Sequence, residues 1–142
     1  MDWSFRTSLR YYVGQMEKGF HTAPGFQSGL RAYDVWARAL EGGNFHPFGL
    51  RYITAVYAEA KMHAANYLEM LAHDWGGLTS LGEAAPIFKD VAAVFQNMTV
   101  VLEQDVRGAK HLGEPATAKQ AAALAPLVRQ ARRLEVDAIT LV

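Results

Sequence analysis

Apolar residues recur along this chain at helical spacing in five stretches, and no window alternates as a strand would. In the first, about residues 2–18, Phe5, Leu9, Tyr12 and Met16 fall on one face of a helix that Gly19 ends. Residues 19–25, with two glycines and a proline, form a connection. The second stretch, about 26–41, gathers Phe26, Leu30, Tyr33, Trp36, Ala37 and Leu40 on one side, with Ser28 as its expected N-cap. Arg31, Asp34, Arg38 and Glu41 share the opposite side, a compensating charged stripe expected to face water.

After Gly42-Gly43-Asn44, Pro47 stands where a first-turn proline belongs and opens a third helix, 47–75, which Gly76-Gly77 terminates. At about 43 Å it is the expected spine. The fourth helix follows a capping box, Ser80-Leu81-Gly82-Glu83, and buries Ile87, Val91, Val94, Phe95, Met98, Val101 and Leu102. Pro86 implies either a start near Ala84 or a kink. Gly108 and Gly113-Glu114-Pro115 end this helix, and a second capping box, Thr117-Ala118-Lys119-Gln120, opens the last, with Leu124, Leu127, Ala131, Leu134, Ala138 and Leu141 inward and a kink at Pro126. No repeat of 20 to 50 residues is visible. The expectation is an all-α, single-domain bundle of about five helices, spanning 1–142 around a long central third helix.

Composition narrows the class. Of 142 residues, 51% are hydrophobic, enough for a core, and no apolar run approaches a membrane span. Fourteen basic and fourteen acidic side chains cancel, so no nucleic-acid partner is expected, and no membrane either. The absence of cysteine excludes disulfides and a cysteine nucleophile on this chain. The first residues lack the basic-then-apolar order of a secretory signal, which makes the cytoplasm the expected compartment. Of the 16 aromatics, 14 lie within residues 1–75, leaving only Phe88 and Phe95 beyond.

Candidate chemistry concentrates on the third helix. One stripe, Ile53, Tyr57, Ala60, Ala64, Tyr67, Leu68, Leu71 and Trp75, reads as core. Beside it, Tyr52, Val56, Glu59, His63, Asn66 and Met70 mix aromatic, apolar and hydrogen-bonding groups, unlike a plain solvent face. Glu59 and His63 stand four apart, the spacing at which a carboxylate fixes an imidazole tautomer for proton transfer. Glu69 and His73 repeat that spacing, but Glu69 lies well around the wheel from His63, so the two pairs cannot share one ion, and no metal or cofactor is expected. His21, His46 and His111, in connections or at a helix end, read as carbonyl caps or solvated groups. Gly25-Phe26-Gln27-Ser28-Gly29 misses the nucleophile-elbow order by one position. Arg129, Arg132 and Arg133, with Glu135 and Asp137, read as a solvated face, whereas Asp105 falls within the fourth helix's apolar stripe and needs a partner.

The second and third helices carry a longer pattern. Gly29-Leu30-Arg31-Ala32-Tyr33-Asp34-Val35-Trp36, then Leu40, a glycine break, Ala58-Glu59-Ala60-Lys61, Ala64-Ala65 and Leu68 to Ala72, resembles the helical region of bacterial proteins similar to the butirosin biosynthesis H protein. That family joins a papain-like, C39-peptidase-like module to helices. Over residues 26–75 the resemblance implies the substrate-shaping helical part of an acyl-transfer or hydrolase system. With no cysteine here, no catalytic residue carries over.

The expected function is a non-catalytic helical domain that binds a small, partly aromatic or amphipathic molecule beside the third helix, through Tyr33, Trp36, Tyr52, Glu59, His63, Asn66 and Tyr67. Two alternatives stay open: an enzyme using Glu59–His63 as an acid–base dyad, and a structural or interaction bundle that forms a homodimer through its alanine-rich last helix or serves a separate partner chain.

Overall fold

A computed structural model describes residues 3–19, 27–75, 78–104 and 117–142. Five helices make up the fold: α1 (Trp3–Lys18), α2 (Leu30–Glu41), α3 (Pro47–Asp74), α4 (Thr79–Gln104) and α5 (Ala118–Leu141). The described residues contain no strand, so the chain is an all-α single domain with α3 its longest element. Packing runs α3 on α4, α4 on α5 and α5 on α2, with α1 leaning on α2.

Small residues make the inner pair of helices fit. Ala84, Ala85, Val91 and Ala92 of α4 and Ala121, Ala125, Val128 and Ala131 of α5 are fully buried. Alanine gives up no side-chain rotamer freedom and lets backbones approach, so larger side chains such as Phe95, Met98 and Leu124 fill what remains. Ala121, Ala125 and Ala131 of the alanine-rich last helix thus pack within the chain, where α5 meets α4 and α2, while Ala122 and Ala123 are exposed.

Several helix ends follow the local chemistry read above. Pro47 occupies the first turn of α3, and the Thr117–Gln120 box is reciprocal: the Gln120 N–H donates to Thr117 Oγ1 at 3.2 Å and the Thr117 N–H to Gln120 Oε1 at 2.7 Å. Others differ. Helix α2 starts at Leu30, not 26, because Gly29 turns the chain at φ 63°, and a Cβ there would stand 2.5 Å from the Met16 carbonyl oxygen. Ser28 therefore precedes the cap and is not it. Helix α4 starts at Thr79, which places Ser80 inside the first turn, and the Leu78 carbonyl accepts from the Leu81 N–H. His46 caps α3 with the polarity opposite to that expected, its Nδ1 accepting the Gly49 N–H at 3.0 Å. Phe26, His21, His111, Asp105, Gly108 and Gly113-Glu114-Pro115 lie outside the described residues.

Both internal prolines sit within continuous helices, so α4 begins ahead of Pro86 and not near Ala84. Pro86 and Pro126 are exposed, as are Gly82 and Ala122 one turn earlier, whose carbonyls lose their helical partner to water. Helices α4 and α5 also follow a common plan too short and divergent to stand out as a repeat: residues 81–90 and 121–130 alternate buried and exposed positions in the same order around Ala-Pro. Three residues after each proline a basic side chain reaches a glutamate on the flanking helix, Lys89 to Glu69 at 2.5 Å and Arg129 to Glu41 at 2.6 and 2.9 Å. Arg132 pairs with Asp34 at 3.2 Å. The charged stripe of α2 and the basic cluster of α5 thus answer each other, where each was expected simply to face water.

Candidate functional site

Helix α3 carries more apolar surface than α4 can cover, and the surplus forms a wall. Its buried line is Leu50, Thr54, Ala58, Ala65, Leu68 and Leu71. Thr54 is tolerated there because its hydroxyl donates to the Leu50 and Arg51 carbonyls of its own helix, at 3.1 and 2.9 Å. The adjoining line was expected to be core, yet Ile53, Tyr57, Ala60, Tyr67 and Trp75 are exposed. They border an open cleft facing α1 and α2, since α4 packs on the next face round and nothing among the described residues fills the gap.

The cleft holds two cavities that meet at Tyr57 and Lys61. The larger, about 620 Å³, lies between Leu9 and Tyr12 of α1, Tyr67 of α3, Trp75 at the C-cap of α3 and Phe88 of α4. The smaller, about 430 Å³, lies between Met16, the turn at Ser28–Gly29, Tyr33 and Trp36 of α2, and Ile53. Phe95 ties this wall to the core: its ring stacks on Tyr57 at 5.5 Å and on Trp36 at 5.9 Å between centroids.

At the floor stands a polar cluster contributed by four helices. Glu135 of α5 is completely buried, against the expectation of a solvated face. It accepts from Lys61 of α3, Tyr33 of α2 and, at 3.0 Å, Tyr12 of α1. Periodicity explains the burial, because Glu135 continues the series Leu124, Val128, Ala131 and Ala138 along the inward face of α5. Lys61 likewise continues Thr54, Ala58, Ala65 and Leu68 on α3, while its ammonium lies 5.8 Å from the Phe88 ring. Neither residue was singled out from sequence as a site; the signal available was a charge on a buried heptad-like position. Burial first, then the Glu135 carboxylate and the hydrogen bond to it, push the phenols of Tyr12 and Tyr33 far above their ordinary range, so both stay protonated donors.

Of the seven residues expected to bind a ligand, the structure brings Tyr33, Trp36 and Tyr67 to this cleft. Tyr52 and Asn66 are exposed on another face of α3. Glu59 and His63 line a shallow groove of about 450 Å³ against Gln96, Thr99 and Val100 of α4. Their Oε1 and Nε2 atoms stand 3.6 Å apart and both side chains are about three-quarters exposed, and among the described residues no third group orients the ring. Among the described residues no three His, Asp or Glu side chains gather as metal ligands, and no helix is long and apolar enough to cross a membrane.

The arrangement can seat a compact apolar body between aromatic walls while Lys61 offers a hydrogen bond from the floor. A comparison with protein-family models, curated proteins and solved structures finds no match to this chain.

Proposed function

We propose that this chain is a non-catalytic helical domain that binds a small, partly aromatic or amphipathic molecule in the cleft between α3 and the α1–α2 side. The observation that supports this most is the 620 Å³ cavity, whose walls are aromatic and aliphatic and whose floor carries one amino group. Its volume lies in the range of sites for small organic ligands, about 300–1,000 Å³, and it has their chemistry: mostly apolar, with few polar groups, between bundle helices. The ligand side of α3 in this reading is the Tyr57–Tyr67–Trp75 line together with Tyr33 and Trp36, rather than the Glu59–His63 line. The part of substrate-shaping domain in an acyl-transfer or hydrolase system rests on the butirosin H-like resemblance alone.

Filling the cleft tests the reading. Ala64 lines the larger cavity and is half-buried, so Ala64→Trp occupies the space from a rigid wall. Native mass spectrometry of the protein from its own cells is expected to show a bound small molecule on the wild type and none on Ala64→Trp. Bare chains in both cases, together with a naphthalene probe that binds both equally, overturn the proposal; the expected loss is at least about tenfold in affinity.

A further inference from the structure

The charge of the cleft is simple enough to say something about its ligand. Among the described residues, Lys61 is the one charged side chain lining either cavity. Glu135 lies directly behind it, without solvent exposure, and cancels that charge. The carboxylate is held in place by the hydroxyls of Tyr12 and Tyr33. Its one ion-pair contact uses one of three ammonium N–H groups, and among the described residues Lys61 has no other hydrogen-bond acceptor.

An anion entering this cleft would give up its hydration over a floor of zero net charge, a cost that only a surplus cation offsets. A carbonyl loses far less water and can still take an N–H that Glu135 leaves over. The geometry points to an uncharged ligand: a ring-containing body held against Tyr57, Tyr67 and Trp75, with a carbonyl oxygen accepting from Lys61 Nζ. Glu135 touches no ligand and acts through Lys61, setting the preference for neutral over anionic molecules. This inference rests on the cleft being the ligand site.

A matched pair separates charge from shape. 2-Acetylnaphthalene and 2-naphthoate share a ring and differ in presenting a ketone or a carboxylate; calorimetry on the full chain reads both affinities. Wild type is expected to bind the ketone at least about fivefold more tightly. Glu135→Gln leaves Lys61 uncompensated, so the carboxylate should gain about tenfold and the order should reverse. The double variant Lys61→Met/Glu135→Gln removes both charges and needs no buried ion; there the ketone should weaken by about fivefold to tenfold through loss of its donor. A wild type that prefers naphthoate, or an unchanged ratio in Glu135→Gln, overturns the charge argument while leaving the cleft reading standing. Ketone affinity unchanged in the double variant overturns the Lys61 contact. If neither compound binds wild type, the cleft reading falls and this inference falls with it.

Discussion

The two sides of α3 teach different lessons about apolar sequence. Toward α4, Ala58, Ala65, Leu68 and Leu71 and, on α4, Ala84, Ala85, Phe88 and Ala92 are all buried. Toward α1 and α2 the residues are larger, yet Tyr57, Tyr67 and Trp75 remain 38, 51 and 37% exposed. Size explains the difference. Small side chains bring two backbones close enough to exclude water, whereas a row of aromatics holds the next helix at a distance and leaves gaps that no neighbour among the described residues fills. Among the described aromatics of the first 75 residues, Tyr12, Tyr33, Trp36, Tyr57, Tyr67 and Trp75 border the cleft, while the aromatic-poor α4 and α5 supply much of the buried interior.

That contrast should break most visibly at Glu135. Truncation by Glu135→Ala strands the Lys61 ammonium and two phenols in the interior, an expected loss of about 3–5 kcal/mol in urea denaturation. A loss below about 1 kcal/mol would show the cluster to be as solvated as the cleft above it.

A smaller effect should appear with alkali. The phenols of Tyr12 and Tyr33 lie far above the ordinary 10.0, so folding retains two protons that the unfolded chain releases. Their contribution is complete below about pH 10 and is lost as pH rises past the unfolded value toward the folded one. The urea midpoint should thus fall between about pH 9 and pH 11, and fall less in Tyr12→Phe/Tyr33→Phe. An identical fall in that variant would assign the transition to other groups.

The smallest effect is expected on the open wall. Tyr67→Ala should change stability by no more than about 1 kcal/mol, since half the ring already meets water, while weakening any cleft ligand. Phe95→Ala, on the closed side of the same aromatic cluster, should cost about 3–5 kcal/mol, and comparable losses for the two would erase the distinction.

The elements were legible because their signals are local: Pro47 starts α3, Gly19 follows α1 and Thr117–Gln120 caps α5 through contacts within a few residues. The start of α2 was not, since Gly29 is placed by the carbonyls of Gln15 and Met16 on another helix. The faces of α3 were legible only as a pair of stripes. Both are apolar enough to be buried, and which of them meets α4 depends on a partner that periodicity does not name. Tyr33, Trp36 and Tyr67 line the cleft, whereas Tyr52, Glu59, His63 and Asn66 sit outside it. Glu135 and Lys61 were hidden by their charge: each keeps strict step with its helix's buried positions, and a charged residue among charged neighbours reads as surface.

The common plan of α4 and α5 has a consequence for where function can reside. Counting nine residues on from Pro86 reaches Phe95, and from Pro126 reaches Glu135; eight residues before Glu69 stands Lys61, and before Glu41 stands Tyr33. Where the two halves agree, in prolines, alanines and ion pairs, they are scaffold. Where they disagree, the four side chains converge: Tyr33 and Lys61 both donate to Glu135, and the Tyr33 and Phe95 rings lie 6.4 Å apart. A bundle of two equivalent halves would have an apolar centre with no direction. Broken equivalence at these four residues sets a carboxylate, an ammonium and a phenol beside an aromatic ring at the centre of this one.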